Sequence, residues 1–131
     1  MRAVLIGAAL MLGSVSVVQA AERLPTKVGQ CANTRVVKIS DRFGDPIGAK
    51  DQDGISGGTS IRLANDGYQV SYETVPTIER TRVGDRVIMC LVFIPQDCPK
   101  GDKRGKIYTT VNLRLKASWS LPDAPHSCGG A

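Results

Sequence analysis

At 131 residues the chain suits one domain with a modest core and is short for two. Its 17 basic and 12 acidic side chains leave a formal net charge of +5, a mild excess that favours anionic partners and is too small to imply nucleic acid. Four cysteines, an even number, point to an oxidising compartment and a disulfide framework.

Residues 1–20 read as a secretory signal. Arg2 supplies a positive charge, residues 3–18 are uncharged and apolar, and Val18-Gln19-Ala20 has the small-residue pattern of a cleavage site. Cleavage after Ala20 leaves a mature domain at 21–131. The apolar run falls short of the roughly 20 residues that span a bilayer, and no second run is long enough, so the expectation is a periplasmic or secreted protein that does not span the membrane. No cysteine stands at the cut, which argues against a lipid anchor there.

Short strands follow in chain order. Arg-Val-Val-Lys-Ile at 35–39 reads as the first. Residues 44–58 hold Gly44, Pro46, Gly48, Gly54, Gly57 and Gly58 between aspartates, the composition of a long mobile loop. Residues 59–64 alternate, Asn65-Asp66-Gly67 tolerates positive φ, and Tyr68, Val70 and Tyr72 alternate with polar residues, which together predict a hairpin. Residues 77–82 fit a loop or one helical turn. The unbroken apolar run at 87–94 predicts a central strand buried on both faces. A polar loop at 96–105, an alternating strand at 106–115 and a last strand at 118–121 complete the pattern. Six short strands with Gly and Pro turns predict an all-β fold, a small antiparallel sandwich or barrel stapled by disulfides.

The staples would be Cys31, Cys90, Cys98 and Cys128. Four cysteines allow three pairings, and spacing does not select among them. We expect Cys90–Cys98 with Cys31–Cys128, the first closing a short loop and the second tying the domain ends, worth about 4–5 kcal/mol of unfolded-state entropy. A zinc site would show close paired cysteines, which this chain lacks.

Catalytic patterns are weak, and the expected protein is not an enzyme. His126, the only histidine, sits two residues from Cys128 and reads as an exposed or capping side chain; a small hydrolase would have to use it as general base. Glu73 and Glu79 both look solvated, against a paired-carboxylate site. Asp51-Gln52-Asp53-Gly54 resembles a calcium-loop fragment, but Ser56 and Arg62 occupy the positions where glycine and glutamate are needed, leaving at most a weak irregular site in the 44–58 loop. No cofactor or structural metal is expected. The most distinctive patch is Lys100-Gly101-Asp102-Lys103-Arg104-Gly105-Lys106, four cations in a Gly-containing loop, suited to a phosphate, a carboxylate or an acidic surface. Tyr108 and Trp119 on following strands, with Tyr68 and Tyr72, would add aromatic contact area beside it.

Three stretches carry a resemblance: Gly67 to Tyr72, Met89 to Asp102, and Trp119 to Gly130. They resemble a group of small uncharacterised exported bacterial proteins, which implies a shared fold and export and no named activity. In size, export and strand content the chain is also similar to the periplasmic lysozyme inhibitors, without their inhibitory motif. The expected function is therefore an exported envelope binding module for a protein or an anionic glycan. Lys100, Lys103, Arg104, Lys106, Tyr108 and Trp119 would form its site, and inhibition of an envelope-attacking hydrolase is the alternative.

Overall fold

The computed structural model describes residues 20–130. The expected signal sequence, Ala20 apart, lies outside them. The described chain forms β1 (Cys31–Ser40), β2 (Thr59–Leu63), β3 (Tyr68–Ser71), a one-turn α1 (Pro76–Glu79), β4 (Arg86–Phe93), β5 (Ile107–Asn112) and β6 (Ala117–Pro122). The six strands make one antiparallel sheet in the order β3-β2-β1-β4-β5-β6. All-β architecture with disulfide staples is thus the fold, as a single curled half-barrel rather than two stacked sheets.

The curl has a local origin. β1 is long and changes partner midway: Cys31 to Arg35 pair with β4, and Val36 to Ser40 pair with β2, with a register irregularity between Val36 and Lys38. Such irregularities raise local twist and bend the strand. The bend carries the two edge strands, β3 and β6, towards each other. The β2–β3 hairpin turns on Asp66, which takes the positive φ (66°), after a turn in which Asp66 N–H donates to the Leu63 carbonyl.

One interior means one buried face per strand. β4 is central in the sheet, yet only Val87, Met89 and Leu91 point inward, whereas Val92 and Phe93 are exposed. The expectation of burial on both faces is corrected, because among the described residues no second layer covers the outside. A bulge between Leu91 and Phe93 turns both of those last residues outward. In β5 the buried face is Tyr108, Thr110 and Asn112, while Ile107, Thr109 and Val111 face out half-buried. The core joins Val36, Ile61, Leu63, Val87, Met89, Leu91, Tyr108 and Trp119, and Ile78 of α1 plugs one end.

A polar centre makes this partly polar β5 face tolerable. Gln69, fully buried, donates from Nε2 to the carbonyls of Tyr108 (2.7 Å) and Leu121 (3.3 Å). Its Oε1 accepts from Thr110 Oγ1 (2.6 Å) and Trp119 Nε1 (2.9 Å). The carboxamide has no hydrogen-bonding capacity left over, and it links β3 to β5 and β6 across the interior.

The disulfides are Cys31–Cys90 and Cys98–Cys128. All four expected cysteines are bridged, but the expected pairing is corrected. Cys31 and Cys90 are direct register partners on adjacent strands, and the short-loop pairing of Cys90 with Cys98 would have required β4 to fold back on itself. The 44–58 segment is a turn-rich loop with one bridge, Lys50 to Ser56. Asp51 Oδ1 accepts the backbone N–H groups of Asp53 and Ile55 there, the turn-forming role of a short acid.

Candidate functional site

Two adjoining concavities meet at Ala124, where the edges of the half-barrel converge. The first is a groove of about 280 Å³ between the end of β3 and the segment after β6, walled by Val70, Tyr72, Leu121, Pro122, Ala124 and Pro125, with Ser71 and Glu73 at its rim. The second is an open depression lined by Gly101, Asp102, Lys103, Arg104, Lys106, Asp123 and Ala124. Both edges end here, β3 at Ser71 and β6 at Pro122, a residue that cannot donate to a further ladder bond.

The basic loop beside the depression is rigidly tied. Arg104 forks onto Asp102, with Nε at 3.0 Å from Oδ1 and Nη2 at 2.8 Å from Oδ2. Arg104 Nη2 also donates to the Gly130 carbonyl, Gly129 N–H donates to Asp102 Oδ2, and Cys128 N–H donates to the Arg104 carbonyl. The Arg104 guanidinium and then the Gly129 N–H hold the Asp102 carboxyl well below the usual carboxylate range. Gly105, at φ +100°, runs so close to the tail that a Cβ there would meet Ser127 Cα at 3.1 Å. With Cys98–Cys128 these bonds fasten the C-terminal tail to the loop.

The expected site residues divide accordingly. Lys103 and Lys106 line the depression, and Lys106 Nζ donates to the Lys103 carbonyl (3.4 Å). Lys100 is exposed on the same loop. Arg104 lines the depression too, but its charge is spent on Asp102. Tyr108 (2 % exposed) and Trp119 (5 %) belong to the core, so their expected role as contact surface is corrected. Tyr108 Oη donates to the Pro25 carbonyl, and burial pushes its phenol up from the ordinary value.

The aromatic surface comes from elsewhere. Tyr72 is half-exposed and its hydroxyl lies 3.3 Å from His126 Nε2. The Arg42 guanidinium sits 4.1 Å from the Tyr72 ring centroid and 4.9 Å from that of Phe43, and Arg42 Nε donates to the Gly57 carbonyl at 2.9 Å. Tyr68 carries Arg62 over its ring in the same way, at 4.6 Å. Among these, Tyr72 was legible as a contact candidate. Arg42 and Phe43 were not, because nothing in an Arg-Phe dipeptide announces that a tyrosine thirty residues away will stack on it.

Comparisons with protein-family models, curated proteins and solved structures return no match. The chemistry of the surface itself therefore carries the functional argument. Among the described residues no helix is long and apolar enough to cross a membrane.

Proposed function

We propose that this protein is a non-enzymatic binding module of the bacterial envelope, exported in oxidised form, whose partner is a protein or an anionic glycan. The observation that carries the reading is the junction at Ala124 of an apolar groove with a cation-lined depression. Concave apolar surface flanked by a few polar groups is the usual form of a binding site. Lys103, Lys106 and Arg42, which join no ion pair among the described residues, favour a negatively charged partner and speed its approach. Two disulfides suit an oxidising compartment.

The test is capture of partners from envelope extract by the oxidised protein at controlled salt. The expected result is a component retained by the native protein, weakened by raised salt and by the Lys103→Ala/Lys106→Ala double substitution. Equal retention by that variant would remove the electrostatic part of the reading.

A further inference from the structure

We infer that the groove is a protein-docking site for an apolar side chain standing next to a carboxylate, with Arg42 as the anchor of that carboxylate. The inference rests on the binding-module reading and decides between its two partner classes.

Arg42 is held in place without being neutralised. Two rings and the Gly57 carbonyl fix its guanidinium. The ion pairs among the described residues join Arg104 to Asp102 and Arg114 to Asp85, and Arg42 takes part in neither. Its Nη groups therefore keep their charge and donors, already oriented. A planar guanidinium with both Nη groups available matches a carboxylate through two parallel hydrogen bonds. Phe43, one of the two rings, is 73 % exposed. A large apolar ring kept in solvent against a cation shapes that cation's surroundings, since it adds nothing to the core.

Tyr72 is the shared wall, touching Arg42 on one side and lining the groove. The other apolar walls come from Leu121, Pro122, Ala124 and Pro125, above the buried Val70. A sugar needs a free aromatic face and several hydrogen-bond partners for its hydroxyls. Here one Tyr72 face is covered by Arg42 and the Tyr72 hydroxyl is engaged with His126. Ser71 Oγ already accepts from the Glu73 N–H. In the proposal a protein side chain without hydroxyls lies against these walls, and its adjacent acid passes Tyr72 to meet Arg42, which stacks on that ring without lining the groove itself.

The test is an amide chemical-shift titration of the oxidised exported protein with N-acetyl-leucine, with neutral N-acetyl-leucinamide and with a trimer of hexuronic acid. Shifts are expected at Val70, Ser71, Tyr72, Leu121 and Ala124. The acid should bind about ten-fold more tightly than the amide, the size of one charge-assisted contact. Arg42→Gln should erase that difference. Phe43→Ala keeps the guanidinium but removes one ring and should reduce the difference several-fold, which guards against a folding defect in the first variant. Equal binding of acid and amide would overturn the role of Arg42. Groove shifts with the uronate and none with N-acetyl-leucine would overturn the protein partner while leaving the binding-module reading standing. No groove shift with any probe would overturn the docking site, and partner capture at the basic loop would then still support the broader function.

Discussion

Trp119 Nε1 donates to Gln69 Oε1 at 2.9 Å across the interior of the half-barrel, joining one edge strand to the other. Gln69 has four partners, so its loss orphans both the Trp119 indole and the Thr110 hydroxyl. Gln69→Leu should cost about 2–3 kcal/mol in urea unfolding, because buried donors left without partners carry their full desolvation penalty. Gln69→Glu should be worse at neutral pH, where it buries a charge, and should recover partly as the pH falls and the carboxyl regains a donor. A loss below about 1 kcal/mol for Gln69→Leu would mean that water replaces these bonds.

Acid stability should depend on Asp85. Its carboxylate accepts two bonds from Arg114 (Nε and Nη2, both 2.8 Å) and one from Asn112 Nδ2 (2.8 Å). The Arg114 guanidinium, outweighing the cost of burial, holds the Asp85 carboxyl well below its ordinary value. The folded state thus prefers the charged form more than the unfolded state does. The resulting stability is fully present above an ordinary carboxylate pKa of about 4 and is lost as the pH falls below it. Asp102 behaves alike through Arg104. Stability should therefore be flat from neutral to mildly acidic pH and decline below. Arg114→Gln should lower stability at neutral pH and flatten the part of the acid decline that Asp85 supplies, the two proteins converging at low pH; denaturant midpoints against pH would show an unchanged curve if the pair were inert.

Non-reducing peptide mapping should give Cys31 joined to Cys90 and Cys98 joined to Cys128. In the chain-entropy model the first bridge, with a sequence separation of 59, contributes about 4 kcal/mol. Cys98→Ser/Cys128→Ser should mainly release the tail from the basic loop, seen as faster hydrogen exchange at Gly105, Cys128 and Gly129. A Cys90–Cys98 peptide would contradict this pairing.

Two glycines with positive φ separate backbone strain from crowding. Gly54 (φ +76°) faces open space, whereas at Gly58 (φ +75°) a Cβ would run into the Ser71 carbonyl. Gly54→Ala should cost about 1 kcal/mol from the left-handed backbone alone. Gly58→Ala should cost at least about 2 kcal/mol more, since rigid backbone must move. Equal losses in thermal or urea unfolding would show that the β2–β3 edge yields freely.

What was legible in the sequence follows from what is local. The hairpin of β2 and β3 was readable because alternation and the Asn-Asp-Gly turn lie within a dozen residues. β5 was readable as a strand, yet its facing was not. Both phases of Ile107-Tyr108-Thr109-Thr110-Val111-Asn112 offer large side chains, and the choice is made by Gln69 and by the Asn112–Asp85 bond, partners 27 or more residues away. The same distance problem hid the disulfide pairing, which depends on β1 lying beside β4. The basic loop was visible as a charge cluster, but its internal neutralisation of Arg104 emerges only once the tail is pinned, and the Arg42–Tyr72 stack only once the 41–58 loop folds against the end of β3.

The most direct test of the central claim is site-specific photo-crosslinking in the intact envelope, with a photoreactive phenylalanine analogue placed at Glu73 or Pro125 on the groove rim, or at Ser118 on the exposed outer side of β6. The account predicts a discrete crosslinked protein from Glu73 and Pro125, lost on Arg42→Gln, and none from Ser118. Crosslinks from Ser118 with none from the groove would contradict it.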